Sequence, residues 1–333
     1  MNKVLTVVVP VFNEEACIEA LFARLAKVRQ DMAAQVQVEY LFVDDGSRDN
    51  SLAMLSSLAA QHDFVKVIGF SRNFGHQVAV TAGIDHAQGD WVALIDADLQ
   101  DPPELLAAMY QQAQQGFDVV YGQRRSRKGE TAFKKFTAAA FYRVLSRLCD
   151  VAIPKDTGDF RIMSRRVVNV LKTMRERHRF IRGMVPWIGF KSSAFLYDRD
   201  ERFAGETKYP LVKMLKFAAN AIFSFSAKPL ALATQFGLVA VTLGILGALY
   251  LLWAKLFANY PIPGVVTIVT ALTFFGGVQT LLIGIQGEYV ARMFEESKGR
   301  PLYIVAEKLN LPDLPHASNQ STCQHCGHQG KPC

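Results

Sequence analysis

From Val4 to Gly122, short β-branched runs alternate with stretches whose apolar residues recur every three or four positions. The runs Val4 to Val9, Val38 to Val43, Val65 to Phe70, Trp91 to Ile95 and Asp118 to Tyr121 predict strands. The segments from about Glu14 to Arg29 and after Ser47 predict helices. In the first of these, Ile18, Leu21, Phe22, Leu25 and Val28 share one face, with Asn13 as N-cap and Glu14 and Glu15 in the first turn. Such alternation folds into a mostly parallel sheet covered by helices, with a ligand crevice at the carboxyl ends of the strands.

Beyond Pro210 the pattern changes. Lys213, Lys216, Asn220 and Ser224 recur at helical spacing among Leu, Met, Phe and Ile. That predicts an amphipathic helix, either lying in a membrane interface or facing a core. Leu230 to Ala254 and Gly264 to Gly287 are apolar runs without Asp, Glu, Lys or Arg. Each exceeds the roughly 20 residues a membrane crossing takes, which favours two transmembrane helices over a pair of buried core helices. Arg202, Lys208, Lys213, Lys216 and Lys228 precede the first run and Arg292, Lys298 and Arg300 follow the second. The loop between holds only Lys255, so both ends are expected on the cytoplasmic side. The expected organisation is an α/β domain over 1–209, an interface helix over 210–228, two spans within 229–288 (about 230–254 and 264–287) and a cytoplasmic tail over 289–333.

Charge and cysteine content sharpen this picture. A net charge of +7 suits nucleic acid or an anionic membrane surface. No nucleic-acid motif accompanies it, and much of the basic excess lies just before the first apolar run, so the membrane is the expected partner. Val4 to Val9 is short and runs straight into Pro10, unlike a signal peptide. Cys17 and Cys149 stand alone, as in a reducing compartment. Cys323, Cys326 and Cys333 with His325 and His328 have zinc-ligand chemistry, but the polar tail around them offers little to hold a closed four-ligand site.

Three strand ends carry candidate chemistry. Asp96-Ala97-Asp98-Leu99-Gln100 follows an apolar strand, so carboxylates at i and i+2 face one crevice and could hold Mg²⁺ or Mn²⁺ against a diphosphate. Taken alone, such a pair is common. Asp101 and Glu104, in Asp-Pro-Pro-Glu, read instead as a helix N-cap and capping box. Val43-Asp44-Asp45-Gly46-Ser47 offers a carboxylate for a base N–H or ribose hydroxyl, or is a plain turn. Pro10-Val11-Phe12-Asn13-Glu14-Glu15 forms a third such end, or only a helix start.

In this order the three segments resemble the nucleotide-sugar-binding domain of the inverting family 2 glycosyltransferases. The resemblance extends through Ser71 to His76, Thr81 to Asp85, Asp156 to Arg161, Arg179 to Gly183 and Arg202 to Tyr209. Those segments are similar to the polyprenyl-phosphate glycosyltransferase branch: dolichyl-phosphate mannose synthases, aminoarabinose transferases and bactoprenol glucosyltransferases. It covers about Leu5 to Pro301, and the paired apolar runs look most like the last two groups. The fold it implies is GT-A, a Rossmann-like, mostly parallel sheet with flanking helices.

The resemblance also implies roles. Pro10, Phe12, Glu14, Asp44 and Asp45 form a nucleoside pocket. Asp96, Asp98 and Gln100 form the metal and diphosphate site, with Arg72 and Arg182 also at the nucleotide-sugar. Arg124, Arg161, Arg202 and Lys208 receive the lipid phosphate. Asp156 and Asp159 are its candidate catalytic bases, with Asp98 a further catalytic candidate through the metal. A phosphate monoester is largely dianionic at neutral pH, its second pKa being about 6, so Asp159 is expected to position the acceptor or Arg161 more than to abstract a proton. His76 stands where relatives often have Lys, which leaves its role open.

The implied reaction moves one sugar from UDP-glucose to undecaprenyl phosphate at the inner membrane of a bacterium. UDP-N-acetylhexosamine, UDP-galactose, formylated aminoarabinose and GDP-mannose donors remain as alternatives. Two other readings are a non-catalytic scaffold partnering a flippase and a processive synthase. A homo-oligomer, with a tetramer as one option, is expected from small-residue faces at Gly237, Gly244, Gly247, Gly276 and Gly277.

Overall fold

The computed structural model describes residues 3–125, 154, 157–199, 226, 228–257 and 264–312. Eight strands form one sheet: β1 (Val4–Val11), β2 (Gln37–Asp44), β3 (Val65–Phe70), β4 (Trp91–Leu94), β5 (Val119–Arg124), β6 (Thr157–Ser164), β7 (Ser192–Tyr197) and β8 (Val305–Leu309). Their spatial order is β7-β5-β6-β4-β1-β2-β3-β8. The block β4-β1-β2-β3 is parallel throughout, as is β5 with β7. β6 runs antiparallel to both β4 and β5, and β8 runs antiparallel to β3. The fold is therefore a GT-A-like α/β architecture with a mostly parallel sheet, as expected. The sequence order reverses between β1 and β4, which opens a crevice beyond their carboxyl ends.

Helices cover both faces. α1 (Glu15–Met32), α2 (Ser51–Gln61) and α4 (Leu105–Ala113) enclose one core with Val7, Val9, Tyr40 and Phe42. α3 (His76–His86), α5 (Arg165–Thr173) and α6 (Ile181–Ile188) enclose the other with Val8, Leu41 and Val43. Alternate residues of β1 and β2 thus enter opposite cores, which is why these strands are mostly apolar on both faces. The stripe read for α1 is accurate at Ile18, Leu21, Leu25 and Val28, all at most 2% exposed.

Two cap readings are corrected. Asn13 does not cap α1; it takes a left-handed backbone (φ 55°) and ties the β1 loop to the β2 loop. Its N–H donates to Ser47 Oγ at 3.0 Å and its Oδ1 accepts the Arg48 N–H at 2.8 Å. Asp101 and Glu104 do not form a capping box, because α4 starts only at Leu105 and other partners take both carboxylates. Glu104 accepts two bonds from Arg24, and Asp101 accepts the Tyr197 hydroxyl at 2.5 Å.

The chain continues into α7 (Lys228–Phe257) and α8 (Val265–Ser297), two long helices with exposed apolar side chains such as Phe236, Leu243, Leu272 and Leu281. Among the described residues, one stretch, Lys228–Tyr250, is long and apolar enough to cross a membrane. Its 23 residues extend about 35 Å as a helix, against roughly 30 Å of hydrocarbon. The expected second span, over 264–287, is not among such stretches in the described residues. The expected interface helix over 210–228 lies almost wholly outside the described residues.

After α8 the chain returns to the α/β domain. Glu295 pairs with His178 at 2.7 Å, Glu296 accepts the Arg177 N–H at 2.6 Å, and Tyr303 stacks on Phe70 with ring centroids 5.2 Å apart. Part of the segment expected as a tail over 289–333 is therefore a strand of the sheet, β8.

Candidate active site

The crevice beyond β1 and β4 holds a cavity of about 460 Å³. Its lining comes from four places in the chain: Pro10 near the end of β1 with Phe12 and Glu14 just beyond it, Asp45 after β2, Gly75 and His76 at the start of α3, and Asp96 and Asp98 after β4. Arg182 on α6 reaches in from the far side. The three strand-end motifs and Arg182 therefore share one pocket. Phe12 is 42% exposed, an aromatic face open to a planar ligand.

Asp45 shapes the pocket by fixing its wall. Its carboxylate accepts the N–H groups of Phe74, at 2.7 Å, and of Gly75, at 2.9 Å, together with the Asn73 amide at 2.9 Å. Burial raises its pKa, an effect opposed by those backbone bonds. Gly46 lets this wall close: its φ is +67°, and a Cβ there would lie 2.4 Å from the Arg72 carbonyl carbon. Asp44 is fully buried and accepts the Ser47 N–H at 3.0 Å. Arg72 lies over the Phe74 ring, 4.1 Å from its centroid, and does not line the cavity.

The base of the pocket is an ion-pair network centred on Asp159, a β6 residue 1% exposed. Arg182 donates from Nε to Oδ1 and from Nη2 to Oδ2, each at 3.0 Å. His76 Nε2 lies 3.0 Å from Oδ2, and the Gln77 amide donates to the same oxygen at 3.3 Å. Burial alone would raise the Asp159 carboxyl, but Arg182 and His76 hold it well below the usual carboxylate range. Burial would lower the His76 imidazole, yet its bond to Asp159 and the charge of Asp96, 3.6 Å away, raise it to about 9.

At the β4 end, Leu99 takes a left-handed backbone (φ 59°) although buried, a conformation unusual for a bulky residue. The turn directs the Gln100 N–H at Asp98 Oδ1, 3.2 Å away. Asp96 is raised to about 6, first by burial, with Asp159, Asp101 and Asp98 adding to the rise and His76 opposing it. Such a concentration of carboxylates suits a hard divalent cation. The ligand atoms of His76, Asp96 and Asp159 lie within 4.8 Å of one another, but a guanidinium already covers Asp159. Among the described residues, the cluster whose ligand atoms could meet on one cation is His76, Asp96 and Asp159.

Arg161 is 3% exposed, with its guanidinium on the carbonyls of Gly158 and Asp159 at 2.9 and 3.2 Å, and burial lowers its pKa to about 10. It braces the β6 strand rather than facing the cavity. Arg124, at the end of β5, lies beside Gly158 and Tyr197. Asp156, Arg202, Lys208 and the Cys/His tail lie outside the described residues. The sequence reading missed Gln77, Tyr197 and Arg199, whose Nε lies 3.6 Å from Asp101 and whose Nη2 lies 3.9 Å from Asp98. All three act across long sequence separations, and no local pattern marks them.

Known proteins resemble the chain along most of its length. The family described as Glycosyl transferase family 2 matches residues 6–171. A Bacillus subtilis (strain 168) protein named "Uncharacterized glycosyltransferase YkcC" is 48% identical over 92% of this chain and 94% of its own. An Escherichia coli (strain K12) protein named "Prophage bactoprenol glucosyl transferase homolog" is 37% identical over 90% of this chain and 98% of its own. Among solved structures, a Pyrobaculum calidifontis mannosyltransferase in complex with GDP-Man and Mn²⁺ is 18% identical, with a TM-score of 0.43 over 90% of this chain and 89% of that one.

Proposed function

Because the chain belongs to glycosyl transferase family 2, we propose that it transfers one sugar, with inversion, from a nucleotide-sugar to the phosphate of a polyprenyl lipid at the cytoplasmic face of a bacterial inner membrane. UDP-glucose and undecaprenyl phosphate are the leading donor and acceptor, a choice supported by the name of the 37% identical relative. The observation that carries the reading is the convergence of Phe12, Glu14, Asp45, Asp96, Asp98 and Arg182 on one cavity. The runner-up is the same reaction with another nucleotide-sugar.

The chemistry asks little of a base. An acceptor phosphate oxygen attacks the anomeric carbon as the bond to the departing nucleoside diphosphate breaks, giving a lipid-linked sugar phosphate. The acceptor arrives largely dianionic. Asp159, held ionised by Arg182 and His76, therefore serves as the anchor that aims Arg182 into the cavity. Arg182 meets charge on the leaving diphosphate, and Arg124, with Arg202 and Lys208, meets the acceptor phosphate. A divalent cation, Mg²⁺ or Mn²⁺, held by Asp96 and Asp98 would neutralise the diphosphate. Positioning and charge neutralisation supply the rate.

The exposed apolar side chains of α7 and α8 support a membrane hairpin made by both helices, with the α/β domain fastened beneath it through Glu295 and Glu296. The test is transfer of radiolabel from a panel of UDP- and GDP-sugars to undecaprenyl phosphate by the detergent-purified full chain. Chelator-sensitive label in the lipid fraction from one donor supports the reading and identifies the sugar. A folded protein that labels no lipid from any donor sinks it.

A further inference from the structure

Gln77 does not line the cavity, yet its amide links the start of α6, which carries Arg182, to the carboxylate that Arg182 grips. Oε1 accepts the Ile181 N–H at 2.9 Å, and Nε2 donates to Asp159 Oδ2 at 3.3 Å. Only one orientation of the amide satisfies both, because a backbone N–H requires the oxygen and a carboxylate requires the nitrogen. Ile181 opens α6, and the next residue, Arg182, grips the same carboxylate. The first N–H groups of a helix have no partner within it. The cap position, Phe180, supplies no side-chain cap bond, and the Ile181 N–H is met from α3.

We propose that Gln77 is a positioning residue for sugar transfer: it fixes the start of α6 against Asp159, and so sets where Arg182 stands over the donor diphosphate. The inference rests on the transferase reading. It acts through Arg182 and touches no substrate. Removing both bonds leaves Asp159 and the start of α6 each short of a partner, and Arg182 loses its fixed base.

A double-mutant cycle tests this on the full chain in detergent. Gln77→Met lowers kcat roughly tenfold, the scale of a lost hydrogen bond to a charged group, with little change in the thermal midpoint. In an Arg182→Ala background the same substitution changes kcat by no more than about twofold, because the residue it positions is gone. Losses that multiply, or a folded Gln77→Met with wild-type kcat, overturn the proposal. Should Gln77→Met fail to fold, Gln77→Glu runs the same cycle: it keeps an acceptor for Ile181 but sets a second carboxylate against Asp159. A wild type that binds UDP yet transfers no sugar defeats the transferase reading alone. The cycle is then read in UDP affinity by calorimetry, where the same non-additivity is expected and multiplied losses again overturn the proposal.

Discussion

Arg182 grips Asp159 through both Nε and Nη2 at 3.0 Å, and the carboxylate it grips is 1% exposed. A carboxylate so held is a poor proton acceptor and a firm anchor. Its folded pKa lies below its unfolded value, so its stabilisation is present above about pH 4 and is lost as pH falls through the folded value. It therefore does not titrate between pH 6 and 9. Asp159→Asn should lower kcat roughly ten- to hundredfold and leave the acid-side limb of the pH–rate profile in place, any shift falling on the basic side, where His76 loses the bond that raises it to about 9. Loss of the acid-side limb of the profile would instead identify Asp159 as a general base.

The carboxylates at the end of β4 give a second expectation. With UDP present, Mn²⁺ at about a hundred times its Kd should stabilise the protein by about 2.7 kcal/mol, read as a rise in thermal midpoint. Asp98→Asn should abolish most of that rise without unfolding the protein. An equal rise in the variant would mean that the cation binds elsewhere.

Gly46→Ala should be costly for two reasons. The left-handed backbone costs a non-glycine residue roughly 1–3 kcal/mol, and the new Cβ meets backbone at Arg72 and Asn73. Denaturant unfolding should record the loss, and UDP affinity should fall with it, because the displaced segment leads into the pocket wall at Gly75. Unchanged stability would mean that the two loops can part freely.

His86 is 4% exposed, and burial lowers its imidazole pKa below the unfolded value of about 6.5. The unfolded chain therefore takes up the proton first, so His86 makes stability fall as pH drops from about 6.5 toward the folded value. Comparing unfolding free energies at pH 7.5 and 5.5 should give a smaller difference for His86→Gln than for wild type. Equal differences would clear His86 of the effect.

Much of the pocket was legible because its parts sit at the ends of mostly apolar runs. Val4–Val11, Gln37–Asp44 and Trp91–Leu94 each stop at a polar cluster, and a parallel sheet brings such ends together. Contacts made by other parts of the chain were not legible. Asp101 looks like a local cap until Tyr197, 96 residues later, takes its carboxylate. Val305–Leu309 is short and two of its five residues are charged, so only its pairing with β3 reveals a strand. His76 drew notice as a departure from the family pattern, but its partner Asp159 is 83 residues away. Gln77 carries no sequence signal at all, since its two bonds reach Asp159 and Ile181 on separate elements.

The central claim, single-sugar transfer to a lipid phosphate, is tested most directly by mass spectrometry of undecaprenyl phosphate after incubation with the full chain, UDP-glucose and Mn²⁺. The account predicts a lipid heavier by one hexose and no more, absent when Asp98→Ala replaces the wild type. A folded, UDP-binding protein that leaves the lipid mass unchanged with UDP-glucose and every other donor, or that builds a polymer instead, would contradict it.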